Sequence, residues 1–438
     1  MPAMNLPTIT VLPVNCVRGT IACPGDKSVS HRYAMLAALS EGQTIVENFS
    51  PGADCATTLE CLTSLGVHIT SDRAESSGEI SRLKIDGCGL GNLSQPAHPL
   101  DARNSGTTMR LLAGVLAGHS FECTLTGDES LQTRPMKRVI DPLMSMGAQV
   151  TSNNNCAPLM ITGGRLRAIT WTPNVPSAQI KSAILLAGLH ASGKTTVCET
   201  VSTRDHTEQA LQAFGVRVER GEGFVAVEPG GTLRGCQLQV PGDISSAAVW
   251  ATAAAALAHS EIELTNVGLN PTRTGILDIL RRAGAIVKSE VKKTLAGEPT
   301  GSIYVRYDKL RPVVITPAEV PSVIDELPIL AALATHRGGG IKVTGAQELR
   351  FKESNRITAL VAGLNTLGAE VRELPDGFEV ESTKALVGGT VDAAGDHRLV
   401  MAFTLAALGA SSPCTILGAK IVDVSYPHFF ETLETVRS

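Results

Sequence analysis

Four short stretches carry side chains that could do chemistry on anions. In Pro24-Gly25-Asp26-Lys27-Ser28-Val29-Ser30-His31-Arg32, two cations stand where a polar turn gives way to the apolar run Tyr33-Ala-Met-Leu-Ala-Ala-Leu39. A helix starting there adds unpaired N–H groups and its positive dipole end to Lys27 and Arg32, the makings of an anion site. A plainer arrangement satisfies the same residues: Asp26 or Ser28 caps a core helix while both cations face water. Gly127-Asp-Glu-Ser-Leu-Gln-Thr-Arg134-Pro-Met-Lys-Arg138 and Leu349-Arg-Phe-Lys352-Glu353-Ser-Asn-Arg356 each place Arg or Lys where a second helix begins. Glu353 and Arg356, three apart, are equally readable as a surface ion pair, and in Arg204-Asp205-His-Thr-Glu208 the acids read as a capping box.

Repetition separates the readings. One unit recurs: a polar turn, an apolar helix ending near Gly, a β-branched strand, a loop, then a second helix closing on a Gly and another strand. Copies open at Pro24, at Asn104-Ser-Gly-Thr-Thr-Met-Arg110, at Pro176-Ser177-Ala178-Gln179-Ile-Lys181, at Val240-Pro-Gly-Asp243, at Asp325-Glu-Leu-Pro and at Gly395-Asp-His-Arg398. Val240-Pro-Gly-Asp243-Ile-Ser echoes Cys23-Pro-Gly-Asp26-Lys-Ser, so the chain starts over at Pro241 and the six copies fall into two sets of three. At a period of roughly 65–85 residues the unit is longer than a solenoid repeat and must build sheets. Two similar α/β domains are expected, 23–240 and 241–438, with residues 1–22 pairing with the second. If equivalent helices run alike, their polar starts converge on an interdomain cleft suited to an anionic ligand.

Composition narrows the field. A chain of 438 residues, 43% hydrophobic with 3% aromatic and a formal net charge of −4, is an ordinary globular protein and no bulk electrostatic binder of nucleic acid. No secretory-type leader or membrane-length apolar run is read, so a cytoplasmic chain is expected. Ten scattered cysteines without a C-x-x-C pair indicate buried thiols, and no metal site is expected. Gly188-Leu-His-Ala-Ser-Gly193-Lys194-Thr195 matches the phosphate-loop pattern letter for letter. Its context contradicts that pattern, because a helix from Ile180 to Leu189 precedes it and a strand from Thr195 to Glu199 follows, the reverse of strand, loop, helix.

Taken together, P-G-D-K-S-x-S-x-R, N-S-G-T-T-M-R, G-D-x-S-L-x-x-R-P-M, P-S-A-Q-x-K-S-A, R-D-H-T-E, D-E-x-P, F-K-E-S-x-R and D-H-R resemble the EPSP synthases, in order and spacing, over nearly the whole chain. The resemblance implies two inverse α/β domains, each of three βαβαββ-like units, closing over an active site in their cleft. It implies transfer of the enolpyruvyl group of phosphoenolpyruvate to the 5-hydroxyl of shikimate 3-phosphate with release of phosphate, without metal or cofactor. It implies small-molecule partners alone, a monomer, and glyphosate as an inhibitor at the phosphoenolpyruvate subsite. By the family's pattern Lys27, Ser28, Arg32, Ser177, Ala178, Gln179, Arg204, Asp325 and Lys352 hold shikimate 3-phosphate. Lys27, Asn104, Gly106, Arg134, Gln179, Arg356, Arg398 and Lys420 hold phosphoenolpyruvate. Asp325, Glu353 and Lys27 are the catalytic set, and His397 matches a further cleft position.

Ala178 and Leu111 stand where one branch of the family has serine and proline. The sister UDP-N-acetylglucosamine enolpyruvyl transferases, the alternative reading, carry a cysteine in the loop matching Gly127 to Arg138, which has none here. A nucleotide-dependent kinase and a non-catalytic repeat scaffold are the other classes to be told apart; the scaffold does not account for cations and carboxylates recurring at helix starts.

Overall fold

The computed structural model describes residues 7–73, 80–381 and 386–438. Its contacts divide the chain into two units. One takes the described residues up to Pro24, Gly242–Lys293 and those of Pro299–Ser438; the other takes those of Gly25–Pro241 and Thr294–Glu298. Each unit has its own apolar core. Of the N-terminal segment expected to pair with the later half, residues 1–6 lie outside the described residues.

The unit containing Gly25–Pro241 holds three four-stranded sheets with one pattern. In the clearest, Leu100–Asp101 lies parallel to Glu122–Thr126, which pairs antiparallel with Cys156–Thr162, itself antiparallel to Gln149–Asn153. The sheets of Thr170–Trp171 and of Gln237–Gln239 repeat that order, the latter strand lying parallel to Glu41–Glu47. In the other unit Arg18–Ala22 takes the corresponding first place, parallel to Glu261–Gly268 with Ile21 opposite Leu264. A second sheet there starts at Val313–Ile315, and a third has Gly389–Asp392, Cys414–Leu417 and the N-terminal Thr8–Val11. Five of the six units are therefore four-stranded sheets of one order with their helices, and the sixth, among the described residues, has three strands.

Helices that open each copy are apolar almost all round, and so they are buried rather than amphipathic. From Val29 to Leu39 every residue of the Lys27–Leu39 helix is buried, and all of Ile244–Ala256, Leu327–Ala334 and His397–Leu408 are. Second helices such as Lys137–Met146 and Gly275–Arg282 instead show one apolar face. Small residues let the buried helices meet at backbone distance: a Cβ on Gly114 would stand 2.3 Å from the Ala183 carbonyl oxygen, so Gly106–Leu116 and Ala178–Gly188 touch main chain to main chain.

Two crossings of the chain are fixed by backbone bonds within their own units. Asp26 N–H donates to the Pro241 carbonyl at 2.8 Å, and Asp243 N–H to that of Pro24 at 2.7 Å. Residues 294–298, expected from the sequence to sit with the later half, group instead with Gly25–Pro241. The reason is a buried pair, His206 Nδ1 2.6 Å from Glu298 Oε1, which draws that short turn to the start of His206–Ala213.

The phosphate-loop match is confirmed as a coincidence of letters. The helix Ala178–Gly188 comes before it, the strand Thr195–Cys198 after it, and Lys194 pairs on the surface with Glu219.

Candidate active site

Within the Gly25–Pro241 unit, the residues that open the helices are tied to one another. Asp26 caps the first helix by accepting from Val29 N–H at 2.9 Å, which places Lys27 at its first position, where its ammonium meets Asp54 at 3.0 Å. Arg32, one turn further, is buried. Its Nε donates to Thr207 Oγ1 at 2.7 Å, Nη2 to Ser182 Oγ at 2.9 Å and Nη1 to the Ser28 carbonyl at 2.8 Å. Burial pushes its pKa down to about 10, opposed by Glu208 and Asp26. Arg32 thus joins three helices, those of Lys27, Ala178 and His206.

Ser177 caps the Ala178–Gly188 helix, leaving Gln179 in its first turn. Gln179 accepts from Arg110 Nη1 at 2.8 Å and donates to Thr107 Oγ1 at 2.9 Å, so two helix starts are joined side chain to side chain. Beside them Arg134 reaches back to Asn104, with Nη2 2.7 Å from Oδ1 and Nη1 3.2 Å from the carbonyl, and Asp128 orients the same amide from 2.7 Å. Arg204 is half-buried next to Thr203. That loop is clamped by Lys181, only 1% exposed, whose ammonium lies 2.7 Å from Glu208, 3.1 Å from Glu199 and 3.4 Å from the Thr203 carbonyl. The capping box read at Asp205 is not formed. Asp205 makes no side-chain cap and accepts instead from Gln209 and Arg220, and Glu208 is spent on Lys181.

In the other unit Arg356 is the centre. It opens the Arg356–Thr366 helix and is 1% exposed, so the pair with Glu353 is not a surface one. Asp396, fully buried, takes Nε at 2.8 Å and Nη2 at 3.1 Å in a fork, and Glu353 also contacts Nη2. Against the penalty of burial, Asp396, Glu353 and Asp325 hold this guanidinium above its ordinary pKa. Asp325 Oδ1 lies 3.9 Å from Arg356 Nη1 and 3.4 Å from Lys352 Nζ. Nη1 itself is buried with no hydrogen-bond partner among the described residues. Asp396 also caps the His397–Leu408 helix through Arg398 N–H at 2.9 Å, which places His397 and Arg398 in the same first turn. Lys420 is not tied to this set; it is exposed on the short turn Ala419–Val424, near Asp423.

Sequence reasoning passed over Arg110, Asp54, Lys181 and Asp396. Asp396 had a signal, since it is the acid of the D-H-R stretch and sits one place before a helix start. Lys181 stood in the P-S-A-Q-x-K-S-A stretch without a role, its partners Glu199 and Glu208 lying well down the chain, and Asp54 had no signal, its partner being 27 residues away.

Sheet-and-helix copies in two sets of three make a fold met in solved structures. The enolpyruvyl transferase NikO from Streptomyces tendae shares this fold at a TM-score of 0.79 over 99% of this chain and 98% of its own, with 18% identity. Sequence then fixes the branch. The family model for EPSP synthase (3-phosphoshikimate 1-carboxyvinyltransferase) matches residues 11–433, and the chain belongs to that family. A 3-phosphoshikimate 1-carboxyvinyltransferase of Shouchella clausii is 45% identical over 421 residues, 96% of each chain. Another, of Desulforudis audaxviator, is 44% identical over 98% of this chain and 99% of its own. An EPSP synthase structure from Acinetobacter baumannii is 40% identical with a TM-score of 0.85, covering 98% of both.

Proposed function

We propose that this chain transfers the enolpyruvyl group of phosphoenolpyruvate to the 5-hydroxyl of shikimate 3-phosphate, releasing phosphate. The UDP-N-acetylglucosamine reading is not favoured, as the family and its relatives point to the shikimate substrate. The observation that carries the proposal is Arg356: a buried guanidinium held from one side by Asp396, with Nη1 left to bond an anion and two further carboxylates beside it. Arginine suits the planar carboxylate and the phosphate of phosphoenolpyruvate through paired N–H donors.

The chemistry assigns the rest. Asp325 accepts the proton of the 5-hydroxyl as its oxygen bonds to C2 of phosphoenolpyruvate, while Glu353 delivers a proton to C3; the product is a tetrahedral adduct with a methyl group. Glu353 then takes a proton back from that methyl as the C2–O bond to phosphate breaks, which restores the vinyl group, and the departing phosphate carries off the proton that Asp325 accepted, so both carboxyls return to their starting states. Lys27, Asn104, Gly106, Arg134, Gln179, Arg356, Arg398 and Lys420 serve phosphoenolpyruvate. Lys27, Ser28, Arg32, Ser177, Ala178, Gln179, Arg204, Asp325 and Lys352 serve shikimate 3-phosphate. The two domains divide at the crossings near Pro24 and Pro241, and the enzyme works as a cytoplasmic monomer. Among the described residues no helix is long and apolar enough to cross a membrane, and no cluster of three or more His, Cys, Asp and Glu residues could hold a metal ion.

Phosphate release measured with both substrates, and with each alone, tests the activity; release that does not require shikimate 3-phosphate would sink it. Asp325→Ala is expected to lose at least a hundredfold in kcat, the usual contribution of a positioned base, while still binding shikimate 3-phosphate in calorimetry. Near-normal turnover of that variant removes Asp325 from the proton-acceptor role.

A further inference from the structure

One turn beyond Lys27 on the same helix, His31 is completely buried and belongs to none of the sets assigned above. Its Nδ1 lies 2.7 Å from Thr58 Oγ1, which lies 2.7 Å from Thr108 Oγ1. Thr108 Oγ1 donates to Ser105 Oγ at 2.7 Å, and Thr108 N–H donates to the same oxygen at 3.1 Å. Ser105 is the cap of the Gly106–Leu116 helix, between Asn104, which orients Arg134, and Gly106. The four side chains are buried and form a continuous polar chain from one helix start to the other.

Proton counting gives the chain a direction. A hydroxyl owns one proton. Thr108 spends its proton on Ser105, so Thr58 must donate to Thr108; Thr58 has then spent its own, so the ring must donate to Thr58. His31 is therefore the Nδ1–H tautomer, and Nε2 carries no proton. Consistently, Nε2 is buried with no hydrogen-bond partner among the described residues, and burial together with Lys27 and Arg32 keeps the ring neutral. At the far end Ser105 Oγ has both lone pairs occupied, which fixes where it sits and how it caps the helix.

We propose that His31 is a positioning residue for the turn Asn104-Ser105-Gly106, acting through Thr58 and Thr108 to hold that turn at a set distance from Lys27. Two parts of the phosphoenolpyruvate subsite that lie far apart in sequence are thereby held in register by hydrogen bonds running one way. This role rests on the function proposed above.

Thr58→Val keeps the shape and removes the link at both of its contacts. It is expected to raise the KM for phosphoenolpyruvate about fivefold, the factor of roughly one hydrogen bond, with kcat within about twofold. Thr58→Ser, which keeps the hydroxyl, should match the wild type. His31→Asn, whose amide N–H can replace Nδ1–H, should keep the KM, and His31→Leu should raise it. Independently of activity, nitrogen-15 shifts of the His31 ring at neutral pH should report a protonated Nδ1 and a bare Nε2 in the wild type. A protonated Nε2, an imidazolium ring, or an unchanged KM in both Thr58→Val and His31→Leu overturns the proposal. If the wild type shows no enolpyruvyl transfer, the proposed function falls and the positioning role with it, whereas the ring shifts still report on the chain itself.

Discussion

At Gly106 an added methyl group would stand 2.6 Å from Arg110 Nη1 and 3.3 Å from Arg134 Nη1. Both atoms are ends of flexible side chains, so the site can yield, but only by moving the guanidiniums that hold Gln179 and Asn104. Gly106→Ala is therefore expected to fold normally and to weaken phosphoenolpyruvate modestly. Glyphosate, longer than the substrate and expected at the same subsite, should lose more, because a tightly packed site feels one added carbon at roughly 1–3 kcal/mol. Inhibition constants for the wild type and for Gly106→Ala decide it. Equal losses for substrate and inhibitor would show that the methyl group acts through Arg110 and Arg134 alone, without touching the ligand.

Among the elements, the helices Gly106–Leu116 and Ala178–Gly188 meet main chain to main chain. The nearest atoms to a Cβ on Gly114 are the carbonyl oxygen of Ala183 at 2.3 Å and its carbon at 2.9 Å, and neither can swing aside as a side chain would. Gly114→Ala must push two buried helices apart, which overpacking data place at about 1–3 kcal/mol or more. Its melting temperature should fall by several degrees, and the KM for phosphoenolpyruvate should rise because Gln179 and Thr107 bridge the same two helices at their starts. An unchanged melting temperature would mean the helices are not in main-chain contact. Sequence made these elements legible in rhythm but not in closeness. The apolar runs, the Gly closings and the echo of Pro24-Gly-Asp at Pro241 gave six units in two sets, and the helix starts at Lys27, Gly106, Ala178 and Arg356 fall at or beside the polar residues that announced them. Strands of two residues, Leu100–Asp101 and Thr170–Trp171, carry too little pattern to be seen. The partners of Lys27, Arg32 and Arg356 were illegible for another reason: spacing along the chain says where a helix begins, whereas Asp54 is brought in by packing within the first copy and Thr207 and Asp396 by packing between copies.

Across the whole molecule, buried and half-buried histidines set how stability must vary with acidity. His119 and His190 follow the ends of the two helices just described, their rings 5.1 Å apart, and His336 follows Leu327–Ala334 in the other unit. His119 Nδ1 lies 3.0 Å from the Val115 carbonyl and His336 Nδ1 3.0 Å from that of Ala332, so these rings act as caps on their helix ends. Burial lowers the pKa of His119, His190 and His336 below the ordinary 6.5, His190 to about 4 with help from its neighbour His119, and His31 falls well below it. Such a ring is neutral when folded and binds a proton more readily when unfolded, so the unfolded state gains protons as the pH drops through 6.5. For His190 that stability is complete above about pH 6.5 and is lost progressively down to about pH 4, where the ring charges in place, a loss on the order of 3 kcal/mol; His31, His119 and His336 lose theirs in the same direction. Melting temperatures between pH 7.5 and 4 should therefore fall towards acid. His190→Gln should fall less steeply, since it removes one proton from the uptake and the like charge facing His119. A variant that keeps the full slope would show that the His119 and His190 pair is already hydrated or charged in the folded protein at neutral pH.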